Sequence, residues 1–159
     1  LGVNDRVELA AADASIRATI RERLMRSGVT MVGPETIFVD AGVEVGPDTT
    51  ILPFSVLSGR TVVGAGCTIG PHAVLEDATI GDGVRVTASF VTGSSMADGS
   101  DAGPFARLRG GTALGPGVHV GNVAELKNAA LGEGVRCGHV SYLGDANIGT
   151  GTNIGAGTI

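Results

Sequence analysis

A parallel β-helix of hexapeptide repeats, preceded by one α-helix, is the fold that this sequence predicts, and three observations predict it. An aliphatic residue followed by Gly recurs at Val45, Val63, Ile69, Ile80, Leu114, Val120, Leu131, Ile148 and Ile154, several of these six residues apart. A longer step of 17 joins Val63, Ile80, Ala97, Leu114, Leu131 and Ile148, and a second column with the same step joins Ile69, Val86, Gly103, Val120, Cys137 and Ile154. Gly is abundant, at 27 residues, while aromatics are only 3% of the chain. Repeats this short mark a solenoid whose units bury their apolar side only by stacking. A core without aromatics must be filled by Val, Ile, Leu and Ala, which suits a narrow, repetitive structure better than an ordinary globule.

The elements follow in order. Residues 5–27 read as a helix, because Leu9, Ile16, Ile20 and Leu24 recur at helical spacing. Asp5 with Glu8 resembles a capping box and Gly28 supplies the stop. Arg17, Arg21, Glu22, Arg23 and Arg26 supply much of the polar face of a plain amphipathic helix. From Val29 the period changes to six: an aliphatic residue points into a prism, and Gly plus a small residue (Ala73, Val84, Val118, Ala124, Thr152, Thr158) turn the corner. Seventeen residues per coil means two six-residue sides and one of five, and the first coils, with 18 from Val45 to Val63, are slightly longer. In the third column Leu75, Leu126 and Leu143 are the better inward candidates. The division is therefore 1–28 for the linker helix and 29–159 for the repeat domain. Stacked coils stand about 4.8 Å apart, so residues 17 apart are vertical neighbours.

Composition narrows the function. A chain of 159 residues is one domain, or one domain plus an appendage. A net charge of −5 with scattered basic residues argues against nucleic acid as a partner. No apolar run is long enough to span a membrane and no secretory signal is visible, so no membrane role is expected. Cys67 and Cys137 are too far apart for a metal-type pair. A cytoplasmic, reduced protein is the expectation. The chain starts at Leu1 and ends at Ile159 within a running repeat, as expected of a piece of a longer chain.

Three later segments depart from the plain repeat. Residues 103–109 (GPFARLR), 120–128 (VGNVAELKN) and 138–145 (GHVSYLGD) put Arg, Glu, Lys, His and Tyr where Thr, Asp or Ala would serve. Arg109 and Lys127 are 18 apart, Glu125 and Tyr142 are 17 apart, and Asn122 and His139 are 17 apart, so each pair stands one coil apart and nearly in line. Asn153 lies on the next coil. Arg109 and Lys127 together suit a phosphate clamp, a fork beside a point charge; singly, each reads as a solvated cation. His139 suits a general base, although a lone His is more often a surface residue. Glu125 suits orienting an imidazole, or pairing with Lys127 at the surface. Tyr142 suits a hydrogen bond to substrate, or covers the edge of the β-helix. His72 and His119 carry no assignment.

These segments, with 153–159 (NIGAGTI) and the N-terminal 1–9 (LGVNDRVEL), resemble the bifunctional N-acetylglucosamine-1-phosphate uridyltransferase/glucosamine-1-phosphate N-acetyltransferase family, as part of its acetyltransferase half with the linker helix before it. The resemblance runs over the whole chain and is generic between Val29 and Ser100. It implies a left-handed β-helix, a homotrimer with active sites between subunits, and acetyl-CoA as co-substrate. It also implies a cytoplasmic enzyme supplying UDP-N-acetylglucosamine for peptidoglycan and lipopolysaccharide. It makes His139 the proton acceptor, makes Arg109, Lys127, Tyr142 and Asn153 ligands of the sugar phosphate, and puts Ala156 at the acetyl-CoA site. The family's nucleotidyltransferase domain, with its magnesium site, is absent from these residues. So are a later Asn-Tyr pair, a Ser and an Arg used around the coenzyme. The 159 residues alone are accordingly expected to be incomplete for activity.

The implied chemistry is direct attack of the glucosamine-1-phosphate amine on the thioester, with His139 taking the proton. No Ser or Cys stands beside a base as an acyl-enzyme needs. Three other readings compete: another hexapeptide acyltransferase, which the Arg/Lys/Tyr/Asn set argues against; a metal-dependent carbonic anhydrase, for which His72, His119 and His139 lack a close pair; and a non-catalytic β-helical scaffold, which needs no such constellation.

Overall fold

The chain enters its first coil through a helix that also closes that coil. The computed structural model describes residues 2–159, and the helix runs Arg6–Arg26. The Asp5 carboxylate accepts from the N–H groups of Val7 and Glu8, two of the first-turn donors that have no partner within a helix. The return contact is shifted by one residue from a capping box, since Glu8 accepts from the N–H of Asn4 at 2.7 Å. Gly28, at φ 99°, ends the helix in a conformation that only glycine adopts freely.

Amphipathic packing of this helix is realised only near its C-terminal end. Leu24 is buried and Ile20 partly so, whereas Leu9 and Ile16 are 56% and 61% exposed. Three arginines expected on a solvated face turn to the first coil instead. The Arg17 guanidinium sits 5.1 Å from the centre of the Phe38 ring. Arg21 donates to the carbonyl of Ile37, and Arg23 to those of Ala41 and Val43. Those carbonyls lie at the lower edge of the solenoid, where a further coil would otherwise supply donors, so the arginines act as its polar cap.

From Thr30–Met31 the chain winds as parallel strands, mostly two or three residues long, around a three-sided prism. One side is a sheet of seven strands, one per coil, running from Glu44–Val45 to Asn147–Ile148. The other two sides are joined into a single network because His119–Lys127 and Arg136–Gly144 continue round the corner between them. The core is a stack of aliphatic layers: Val63, Ile80, Leu114 and Leu131 on one side, Ile51, Ile69, Val86 and Val120 on the next, and Leu57, Leu75, Leu108 and Leu126 on the third, all buried. All four phenylalanines lie outside it; Phe38, Phe54, Phe90 and Phe105 are exposed. At the corners, hydroxyls satisfy the turning backbone: Ser55 donates to the Leu52 carbonyl, Thr61 to that of Ser58 and Ser100 to that of Ala97.

The 17-residue step is an average rather than a constant. Ile80 is in register with Met96, 16 residues on, and Met96 with Leu114, 18 on. Val86 likewise pairs with Ala102 and Ala102 with Val120. Met96 and Ala102 are therefore the inward residues, and Ala97 and Gly103, expected in those columns, stand one place outside. The register follows the larger apolar side chain at each step, since a slip of one would put Ala97 inside and Met96 in water.

Cys67 and Cys137 are separate buried thiols, and burial pushes both pKa values up. Among the described residues no helix is long and apolar enough to cross a membrane.

Candidate active site

Three consecutive parallel strands carry most of the polar constellation: Arg107–Arg109, His119–Lys127 and Arg136–Gly144. Their buried leucines, Leu108, Leu126 and Leu143, fix the register. Side chains alternate across a strand, so the flanking positions face outward in two vertical rows. Arg107, Glu125 and Tyr142 form one row; Arg109, Lys127 and Gly144 form the other. Arg109 and Lys127 are thus direct neighbours, about 4.8 Å apart at the backbone. Tyr142 leans along its strand over Gly144, towards the Lys127 row.

Glu125 makes neither of the contacts expected of it. It does not pair with Lys127, and its one hydrogen-bonded partner among the described residues is Arg109, whose Nη1 stands 2.9 Å from Oε1. His139 lies on the corner before this side, exposed, in register with Asn122 below. The Ser141 hydroxyl donates to the His139 carbonyl at 2.8 Å, and the Gly157 N–H donates to that of Val140 at 2.7 Å. The second bond brings the Gly155-Ala156-Gly157 turn onto the corner above His139. Asn153 is in register with Arg136 on the side that precedes the corner, facing outward. One chain therefore gathers Arg109, Glu125, Lys127 and Tyr142 on one side and His139 and Ala156 on the adjoining corner, with Asn153 round that corner.

The other two histidines are occupied elsewhere. His72 stacks on Phe54 with ring centres 5.0 Å apart, and His119 Nδ1 is 2.8 Å from Asp101. Sequence reasoning missed the groove beside Tyr142, about 360 Å³ in volume and lined by Phe105, Arg107, Val123, Glu125, Val140 and Tyr142 among others. The signal was available. Phe105, Val123 and Val140 follow one another at steps of 18 and 17, so counting by coils stacks three apolar residues on one corner, all of them exposed.

Coils of six-residue sides define a hexapeptide-repeat β-helix protein, and the bacterial transferase hexapeptide (six repeats) family model matches residues 42–77. Along its whole length the chain is a relative of bifunctional proteins named GlmU. It is 50% identical over 160 residues to that of Thermus thermophilus and 43% identical over 159 residues to that of Synechococcus elongatus. The chain spans about 35% of the length of these relatives. Among solved structures, PerB from Caulobacter crescentus, in complex with CoA and GDP-perosamine, is similar in fold. Identity is 20% and the TM-score 0.48, over 78% of this chain and 57% of that one.

Proposed function

We propose that this chain carries acetyl transfer from acetyl-CoA to the amine of glucosamine-1-phosphate, in the synthesis of UDP-N-acetylglucosamine in the cytoplasm. The observation that supports this most is the in-register Arg109–Lys127 pair one corner away from His139, in a chain 50% identical to a bifunctional GlmU. Arg109 and Lys127 bind the phosphate as fork and point charge, and Tyr142 adds a phenol donor beside them. Anchoring the phosphate fixes the amine near the corner where His139 and Ala156 stand, which lowers the entropic part of the barrier. The amine nitrogen attacks the thioester carbonyl, the C–N bond forms and the C–S bond breaks. His139 takes the proton from nitrogen and passes it to the departing sulfur, so that coenzyme A leaves as its thiol.

Asn153 faces outward on a different side of the prism from Arg109 and Lys127. A sugar phosphate touching all three is more simply held between two copies than around one corner. The exposed apolar residues beside the site, Phe90, Phe105, Val123 and Val140, suit burial between copies, and the assembly proposed is a homotrimer with Ala156 at the coenzyme. The test is a thermal-shift and acetyl-transfer comparison of glucosamine-1-phosphate with serine and bicarbonate, on the full-length protein. Stabilisation and turnover by glucosamine-1-phosphate alone are expected; a preference for either other substrate refutes the assignment.

A further inference from the structure

We infer that Glu125 is a positioning residue that holds the Arg109 guanidinium for phosphate and sets the charge of the cation cluster to match a phosphate monoester dianion; this rests on the function proposed above. The residue directly across from Glu125 on the strand below is Arg107, its register partner. Glu125 passes over that neighbour and takes the diagonal one, Arg109, at 2.9 Å. Diagonal neighbours on a sheet are about 7–8 Å apart at the backbone, so both side chains must lie along the sheet surface to meet. Arg109 is thereby drawn flat. One of its five N–H donors is used by the carboxylate, and the others are free for an anion above the sheet.

The same contact affects Lys127. It is the register partner of Arg109 and has no ion-pair partner among the described residues. Two cations this close repel and splay unless an anion lies between or beside them. Glu125 sits two residues before Lys127 on the same outward face and supplies that anion when no substrate is bound. Arg107, Arg109 and Lys127 with Glu125 leave two net positive charges on this patch. A phosphate monoester carries about 1.5–2 negative charges at neutral pH. The role of orienting the His139 imidazole does not fit this geometry, because the acceptor faces down the sheet to Arg109 rather than to the corner.

Arg109 and Glu125 are 41% and 37% exposed, and ion pairs at that exposure add little to stability. The contact should therefore be read in binding and not in melting temperature. The experiment is steady-state kinetics on the full-length protein with Glu125→Ala, Glu125→Gln, Arg109→Ala and the Arg109→Ala/Glu125→Ala double variant. Glu125→Ala should raise KM for glucosamine-1-phosphate about tenfold, the scale of one weakened charge-assisted contact. It should leave kcat, its pH profile and KM for acetyl-CoA within about twofold, experimental scatter on that scale. Glu125→Gln keeps an oxygen acceptor for Arg109 but removes the charge, and should recover only part of the loss. In the Arg109→Ala background, removing Glu125 should cost much less than it does in the wild type, because coupled residues are non-additive. A fall in kcat with a shifted pH profile would mean that Glu125 acts on His139, and overturns the inference. So does an unchanged KM, or a full additional loss in the double variant. If Arg109→Ala leaves KM for the sugar phosphate unchanged, or wild type does not acetylate it, the function proposed above fails and takes this inference with it.

Discussion

The ring of Tyr142 lies across Gly144, so that a Cβ atom on Gly144 would come within 2.9 Å of the phenol oxygen. The glycine backbone is not in the left-handed region, and the nearest atoms a substitution there would meet are those of the tyrosine ring. Gly144→Ala should swing Tyr142 off the Lys127 row without unfolding the coil. The expected result is a several-fold rise in KM for the sugar phosphate, about the worth of one neutral hydrogen bond, with an unchanged melting curve. An unaltered KM would show that the phenol is not used in binding.

His139 is exposed on the corner and contributes nothing to the aliphatic layers. His139→Ala should keep the fold and lose acetyl transfer by about 10²–10⁴-fold, the usual cost of removing general-base help. Acetylation rates measured beside circular dichroism check this. A variant within a few-fold of wild type would remove His139 from the mechanism.

Lys127 and Arg109 share one register position on adjacent coils. Lys127→Ala and Arg109→Ala should each weaken sugar-phosphate binding by about 1.5–3 kcal/mol, with a much smaller effect on the coenzyme. Michaelis constants for the two substrates decide the matter. A rise confined to acetyl-CoA would assign the cations to the wrong ligand.

Phe105 is 67% exposed on the corner next to the proposed site. If that corner is buried between copies, Phe105→Asp puts an unpaired charge into an apolar contact. Sedimentation of the wild-type protein should give a trimer and that of the variant a smaller species with the same circular dichroism. A wild-type monomer would contradict the assembly.

Vertical neighbours were legible in the sequence because a coil has nearly constant length, and counting alone brought Arg109 to Lys127 and Glu125 to Tyr142. The positions of Met96 and Ala102 were not, since counting cannot tell at which corner a residue has been dropped. Nor can spacing choose between a straight and a diagonal side-chain contact, which is why the partner of Glu125 proved to be Arg109. The helix arginines were misread for a related reason. Their task is set by bare carbonyls at the edge of the first coil, which exist only once the solenoid is built.

The short coil from Ile80 to Met96, followed by the long one to Leu114, makes each corner behave as an expansion joint. Where other coils turn through Leu52-Pro53-Phe54-Ser55, Gly70-Pro71-His72-Ala73 or Gly103-Pro104-Phe105-Ala106, this one has only Thr87-Ala88-Ser89, and the flat sides above and below keep their phase. A length error is dissipated where it occurs instead of propagating up the column. Arg109, Lys127 and Tyr142, all above the short coil, therefore remain plumb with one another. Lineages of such solenoids can thus gain or lose single residues at the corners while the facets that hold ligands stay aligned.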